Sequence, residues 1–238
     1  MDEADGAGLT RTDAAIGREL VLWSGQAAYL RRPVCLSRLT GAAPRSVTSA
    51  AVRALPTRLA GVVVIEPVIH GDERGFFAET YRQEWHAEAG IPPEAEFIQE
   101  NHSRSGRGVV RGMHFHIGPG VAKLVRCARG RILDVAVDLR RGSPTYGQWE
   151  GVELDDESMR ELYVPVGFAH GFCVLSEVAD VLYKQTAYYD PDVERGIAWN
   201  DPDVAIQWPL PVGELIVSER DSAAPRLAEI ADGLPFRY

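Results

Sequence analysis

Short runs of β-branched and aromatic residues, separated by turn-forming clusters, occupy most of the chain after residue 60. The pattern predicts one short helix over residues 81–89, which ends at Gly90-Ile-Pro-Pro93. Ser218 is well placed to cap a further turn or short helix near the C-terminus. Many short strands with so little helix favour an antiparallel sandwich or barrel. The predicted strands are 61–66, 76–80, 97–101, 109–116, 122–128, 132–139, 149–154, 162–166, 172–175 and 178–188.

The first sixty residues differ from the rest in charge. They carry eight arginines and five acids, which is a net charge of +3, whereas residues 61–238 carry −12. A basic, alanine- and serine-rich leader is typical of transit peptides, but this chain starts with the acidic segment 2–5. We therefore expect residues 1–60 to be a poorly ordered extension, and residues 61–238 to form one domain.

The overall composition excludes several classes of function. The net charge of −9 argues against a nucleic-acid-binding face, which would be basic. No apolar run approaches the roughly 18 residues that a membrane helix needs. The three cysteines are scattered and form no CxxC pair, so neither a zinc site nor a disulfide framework is indicated. The composition is typical of a cytoplasmic protein with free thiols.

The most informative local pattern is Arg111-Gly-Met-His114-Phe-His116. Residues two apart on a strand share a face, so the two histidine side chains can point together into a barrel. This is the first half of the metal-binding cupin motif, HxH(x)3-4E(x)6G. The position that should hold the glutamate ligand is occupied by Lys123, seven residues before Gly130.

The second half of the cupin motif, PxGxxHxxxN, is also present in altered form. Pro165-Val-Gly-Phe-Ala-His170 fits it, but Val174 stands at the asparagine position. These motifs indicate an all-β, cupin-type double-stranded β-helix (jelly roll) with a few short helices. Because the ammonium group of Lys123 repels a divalent cation, we expect no metal, and we expect His116 to be packed or hydrogen-bonded. The alternative is a metal-dependent cupin oxygenase that uses His114, His116 and His170.

Over about residues 62–226 the chain resembles the dTDP-4-dehydrorhamnose 3,5-epimerase family. It departs from the usual family pattern at Met113, where leucine is common, and at His116, where glutamine is frequent. The segments that carry the resemblance are 71–77, 99–103, 110–115, 122–127, 134–138, 142–149, 164–172, 182–186, 199–201 and 218–221.

The resemblance implies a nucleotide-linked 4-keto-6-deoxy sugar as substrate. C3 and C5 of this sugar both lie next to the C4 ketone, so either carbon can lose a proton to give an enolate. Inversion needs a base on one face, an acid on the other, and a positive group at the developing oxyanion. This chemistry requires no redox cofactor and no metal.

The resemblance also implies a role for each of four residues. His114 is the base, and Asp221 is the carboxylate that orients its imidazole. Tyr183 is the acid on the opposite face, and Lys123 lies near the oxyanion. Composition adds to the last assignment, because 23 of the 25 cationic side chains are arginine and Lys123 is one of only two lysines. Lys184, the other lysine, alternates with Tyr183 and is expected to face the other way.

The remaining family positions are implied to bind the substrate, and the chain is implied to form a homodimer. One group contacts the nucleotide base and diphosphate from the partner subunit: Arg74, Phe77 and Glu79. A second group surrounds the sugar and phosphates: Gln99, Asn101, Arg111 and His170. A third makes further nucleotide contacts: Tyr189, Glu194 and Arg220. Two other functions stay open at this point, a mono-epimerase acting at C3 or C5 only and a sugar-nucleotide-binding protein without turnover.

Overall fold

The computed structural model describes residues 52–92 and 95–238. Its strands are β1 Val52–Pro56, β2 Val63–Pro67, β3 Ile69–Asp72, β4 Gly75–Ala78, β5 Gln99–Gly106, β6 Val109–His116, β7 Lys123–Arg129, β8 Arg131–Asp138, β9 Trp149–Asp155, β10 Glu161–Val164, β11 Phe168–Val174, β12 Val178–Gln185, β13 Glu194–Gly196 and β14 Ile216–Val217. Its helices are α1 Gln83–Glu88, α2 Glu219–Ser222 and α3 Leu227–Ile230, with 3₁₀ turns at Val212–Glu214 and Ala231–Gly233.

Two sheets face each other across a buried core. The first has the strand order β1-β2-β10-β7-β12-β5, and the second has the order β13-β6-β11-β8-β9, with β14 parallel to β6. Strands β5 to β8 alternate between the two sheets, as in a jelly roll. The all-β jelly-roll fold predicted from the sequence is confirmed, and no helix in the described ranges is long and apolar enough to span a membrane.

Strand β8 shows why its sequence does not alternate cleanly between apolar and acidic residues. Ile132 and Ala136 pack into the core between the sheets. Val135 and Val137 point to the other side, where they pack against the C-terminal segment around Phe236. Both faces of the strand are therefore covered, which accounts for its mixed pattern of apolar and acidic residues.

The N-terminal boundary differs from the predicted one. Strand β1 begins at Val52, nine residues before the expected start of the domain, and pairs along its length with β2. Its sequence, Val-Arg-Ala-Leu-Pro, is a weak strand signal, so the pairing with β2 determines its structure. Residues 1–51 of the expected extension lie outside the described residues.

Candidate active site

A cavity of about 490 Å³ opens between the two sheets near β6, β7, β11 and β12. It is lined by most of the residues that the sequence singled out, together with several that it did not. The predicted residues in its wall are Arg111, His114, Lys123, His170, Tyr183, Tyr189, Glu194, Arg220 and Asp221. The additional residues in its wall include Ser103, Phe172, Ile216, Val217 and Ser218.

His114 and Asp221 form a hydrogen-bonded dyad. The Nε2 atom of His114 lies 2.7 Å from Oδ1 of Asp221. Because a carboxylate accepts, Nε2 donates this bond, which leaves the lone pair on Nδ1 available as a base. Burial raises the pKa of Asp221, but hydrogen bonds from His114 and from the backbone N–H of Gly112 outweigh it and hold the pKa below its usual range.

Helix α2 delivers Asp221 to this position. Ser218 is the N-cap residue of the helix, and its Oγ accepts a hydrogen bond of 3.1 Å from the backbone N–H of Asp221. The predicted capping role of Ser218 thus explains how a residue far along the chain is fixed beside β6.

Lys123 and Tyr183 lie on the opposite sheet. Nζ of Lys123 lies 5.8 Å from the centre of the Tyr183 ring, and it makes no hydrogen bond or ion pair with any described residue. Burial lowers the pKa of Lys123 to about 8, although Glu194 and Asp134 oppose the shift. Burial also raises the pKa of Tyr183 above its usual range, so the phenol is neutral near pH 7 and can donate a proton.

A second histidine–carboxylate pair lies beside the first. His170 is directly opposite His114 in the β6–β11 register, and its Nε2 lies 2.8 Å from Oδ1 of Asp134. Burial lowers the pKa of His170 despite that carboxylate, so its imidazole is neutral near pH 7. No role for Asp134 was predicted from the sequence, although a carboxylate in the middle of an apolar strand signals a buried partner.

Cationic and aromatic groups surround the mouth of the cavity. Arg220 forms an ion pair with Glu194, and the hydroxyl of Tyr189 donates to Glu194 at 3.4 Å. Nε of Arg111 donates to the hydroxyl of Ser105 at 3.1 Å, which fixes the guanidinium. Two oriented guanidinium groups are suited to bind the oxygens of a diphosphate.

Gln99 and Asn101 lie on β5 and are not among the residues that line this cavity. The Gln99 amide donates to Oδ1 of Asn101 at 3.0 Å and accepts from the backbone N–H of Tyr189 at 2.9 Å. Gln99 therefore holds the segment that carries Tyr189, and Asn101 orients the Gln99 amide.

Arg74, Phe77 and Glu79 do not line the cavity of their own chain. Arg74 and Phe77 lie on or next to the β3–β4 hairpin, where Arg74 pairs with Asp72 and the residue Phe77 is 69% exposed. Glu79 follows the hairpin and accepts a hydrogen bond of 2.8 Å from Arg82. Within one described chain these three residues form a separate surface.

His116 is packed but not hydrogen-bonded. The residue is 4% exposed, and neither ring nitrogen has a hydrogen-bond partner among the described residues. Burial and the charge of Lys123 lower its pKa to about 4, so it is neutral near pH 7. The prediction that it is packed agrees with the structure, whereas hydrogen bonding is not observed within the described residues.

The histidines of the cavity are not arranged as a metal centre. In the described part of the chain, no group of three or more histidine, cysteine or acidic side chains is placed to hold a metal ion. Nε2 of His114 and of His170 is each occupied by a carboxylate. The donor set therefore does not fit the oxygenase alternative.

The fold and the site together define a cupin-like jelly-roll protein whose cavity carries acid–base groups. The chain belongs to the dTDP-4-dehydrorhamnose 3,5-epimerase family, whose family model matches residues 56–229. It is 51% identical to the dTDP-4-dehydrorhamnose 3,5-epimerase of Pseudomonas aeruginosa over 181 residues, which cover 75% of this chain and 98% of that protein.

Related proteins with a narrower activity are also similar. The dTDP-4-dehydrorhamnose 3-epimerase of Streptomyces niveus is 46% identical, over 76% of this chain and 86% of that protein.

Among solved structures, the epimerase of Legionella pneumophila in complex with dTDP-4-keto-L-rhamnose is 45% identical, with a TM-score of 0.74, covering 79% of this chain and 98% of that chain. A 3′-monoepimerase from Streptomyces bikiniensis in complex with dTDP-quinovose is 39% identical, with a TM-score of 0.72, and the match covers 77% of this chain and 92% of that chain.

Proposed function

We propose that this chain inverts both C3 and C5 of a dTDP-linked 4-keto-6-deoxyhexose, converting dTDP-4-dehydro-6-deoxy-D-glucose into dTDP-4-dehydro-L-rhamnose. One observation carries the proposal: a single cavity holds a carboxylate-oriented imidazole, a neutral phenol and a buried ammonium group with no partner among the described residues. These are the base, the acid and the oxyanion group that the reaction needs.

In the proposed mechanism, Nδ1 of His114 removes the proton from C5 or C3. The two electrons of the C–H bond form the enolate, and its negative charge collects on O4, where the Lys123 ammonium stabilises it. The Asp221 carboxylate stabilises the imidazolium that results. Tyr183 then donates its phenolic proton to the opposite face of the same carbon, and both side chains return to their starting states by exchange with solvent.

We propose that the nucleotide is held by two sets of residues. Arg111 and Arg220 bind the diphosphate, and Tyr189 contacts the nucleotide at the mouth of the cavity. The second set is Arg74, Phe77 and Glu79, which reach the cavity of the other subunit in a homodimer. The large exposed area of Phe76 and Phe77 supports this, because adjacent exposed aromatic residues are typical of an interface.

The proposed reaction uses no metal or redox cofactor. A cytoplasmic location is part of the same proposal, and the free, buried thiols of Cys127 and Cys173 support it.

A mono-epimerase acting at one carbon is the second candidate, because 3-epimerases are among the similar proteins. Proton NMR of dTDP-4-keto-6-deoxyglucose with the enzyme in deuterated water separates the two. Deuterium at both C3 and C5 together with the L-rhamno product is expected. Deuterium confined to C3, or confined to C5, would replace the double epimerase with the mono-epimerase.

A further inference from the structure

Helix α1 is attached to the first sheet by a buried histidine–glutamate pair. Nε2 of His86 lies 3.1 Å from Oε2 of Glu161, and both side chains are less than 5% exposed. Nδ1 of His86 lies 2.8 Å from the carbonyl oxygen of Arg82. A carbonyl can only accept, so the 2.8 Å contact requires a proton on Nδ1, and the approach of the Arg82 N–H to the same nitrogen, at 3.4 Å, is the longer and weaker of the two contacts.

The contact between Nε2 and Oε2 therefore contains one shared proton. Without it, two lone pairs would face each other in a space that excludes water, which is unfavourable. The proton can sit on either atom, and burial favours this sharing because it raises the pKa of Glu161, against the influence of His86. Other titratable or charged groups also face the pair from the surrounding elements: Tyr81, Arg126 and Lys184.

This pair is connected to the segment that is proposed to bind nucleotide. We define the arm as residues 69–82, which comprise the β3–β4 hairpin and the link to α1. Arg82 accepts from His86 through its carbonyl oxygen and donates from its guanidinium to Glu79. Hydrogen bonds thus link Glu79 to the Arg82 guanidinium, the Arg82 carbonyl to His86, and His86 to Glu161, and the covalent frame of Arg82 joins the first contact to the second.

The arm depends on such an attachment for its position. In the described part of the chain, β3 and β4 pair only with each other and belong to neither large sheet. The hairpin is therefore held by β2 before it and, after it, by α1 and by the packing of Tyr81 against Phe97. Of these, α1 is a helix of only six residues, too short to be stable without tertiary contacts.

We propose that His86 and Glu161 are a positioning pair that uses one shared proton to hold the arm where Arg74, Phe77 and Glu79 bind the nucleotide. The inference rests on the nucleotide-binding role proposed for the arm. It has a specific consequence: loss of the shared proton at alkaline pH releases the arm, and nucleotide affinity falls while the groups that perform the proton transfers stay in place.

Two substitutions of Glu161 separate this role from simple packing. In Glu161→Gln the amide N–H donates to Nε2 of His86, so a proton that cannot be lost replaces the shared one. Glu161→Leu fills the space but supplies no donor at any pH. The affinity for dTDP, measured by calorimetry at about pH 6 and about pH 9, is compared among the wild type and both variants.

We expect the dissociation constant of dTDP to rise about tenfold between the two pH values in the wild type. In Glu161→Gln the dissociation constant should rise no more than about twofold. The phosphates of dTDP ionise to the same extent in both measurements, so they do not account for a difference between this variant and the wild type. In Glu161→Leu the dissociation constant of dTDP should already be about tenfold higher than that of the wild type at the lower pH. In steady-state assays, weaker binding should appear as a higher KM, and kcat should change by less than about threefold in both variants at the lower pH.

The pair has only a structural role if Glu161→Gln shows the same pH dependence as the wild type, even where the thermal midpoint of unfolding changes. This comparison decides the question even if Glu161→Leu does not fold. Arg74→Ala distinguishes a failure of the positioning role of His86 and Glu161 from a failure of the nucleotide-binding role of the arm. If Arg74→Ala weakens dTDP binding but Glu161→Gln keeps the wild-type pH dependence, only the positioning role fails. If Arg74→Ala binds dTDP normally, the proposed role of the arm fails, and the positioning role with it.

Discussion

Nε2 of His114 lies 2.7 Å from Oδ1 of Asp221, although the two residues are 107 positions apart in the sequence. The contact forms because β14 runs parallel to β6, and α2 begins directly after β14 with Ser218 as its N-cap. The carboxylate also accepts from Gly112 N–H, so it is fixed on the strand that carries the histidine. The carboxylate thereby fixes the tautomer of the neutral imidazole, with the proton on Nε2 and the lone pair on Nδ1.

The first prediction concerns this dyad. His114→Ala should slow deuterium exchange at C3 and C5 of the substrate by about 10²–10⁴-fold, which is the usual cost of removing a general base. Asp221→Asn should fold, since Ser218 still caps α2 through the backbone, but should lose about 10²-fold or more in kcat. NMR exchange and circular dichroism check both variants. Near wild-type turnover of His114→Ala would refute the mechanism.

The second prediction concerns the pH dependence that Lys123 creates. Its pKa is lowered to about 8, so the ammonium is present at neutral pH and is lost as the pH rises through that value. The kcat should therefore fall on the alkaline side, with a midpoint near pH 8. Because Glu194 raises the pKa of Lys123, Glu194→Gln should move this midpoint to lower pH. An alkaline limb that does not move in this variant would assign the titration to another group.

The sequence predicted some strands well because their signals are local. Strand β6 was placed at residues 109–116, where the structure has it, since turn residues bound an apolar run on both sides. The shared face of His114 and His116 followed from the two-residue period of a strand. Strands β13 and β14 were not predicted, because they are short and pair with residues distant in the chain. Strands β1 and β3 were also not predicted, although each pairs with the next strand along the chain.

The candidate site shows the same division between local and long-range information. Lys123 stands out in the sequence because it occupies the position of the glutamate ligand in the cupin motif. Its burial opposite His114, however, depends on the packing of the two sheets, which the sequence does not show. The His170–Asp134 and His86–Glu161 pairs join residues 36 and 75 positions apart, and no sequence spacing indicates either contact. Buried polar residues in apolar strands signal that a partner exists, but only the fold identifies it.

The third prediction tests whether the arm acts on the other subunit. Arg74→Ala impairs the arm, and His114→Ala impairs the chemistry. If the arm binds nucleotide in the partner's cavity, mixing the two variants under conditions of subunit exchange creates sites with an intact base and an intact arm. Activity should rise to about a quarter of the wild-type level in an equal mixture, because about half of the dimers are mixed and each has one complete site. Absence of any recovery in confirmed mixed dimers would place the arm's action within its own chain.

The fourth prediction concerns metals. Lys123 stands where a cupin metal ligand would, and carboxylates occupy Nε2 of His114 and His170. Activity should therefore survive exhaustive dialysis against a strong chelator unchanged. A loss of activity that iron, nickel or zinc restores would favour metal-dependent chemistry in this cavity.

The last prediction separates the acid from the base. Tyr183→Phe removes the phenolic proton but keeps the ring that lies 5.8 Å from Nζ of Lys123, so the packing of the cavity is preserved. Abstraction by His114 does not need Tyr183, and the imidazolium can return a proton to the face from which it came. In deuterated water the variant should therefore incorporate deuterium while forming inverted sugar about 10²-fold more slowly than the wild type. Normal inversion would show that another group or a water molecule delivers the proton. Loss of both exchange and inversion in a folded variant would instead make Tyr183 necessary for substrate binding or enolate stabilisation.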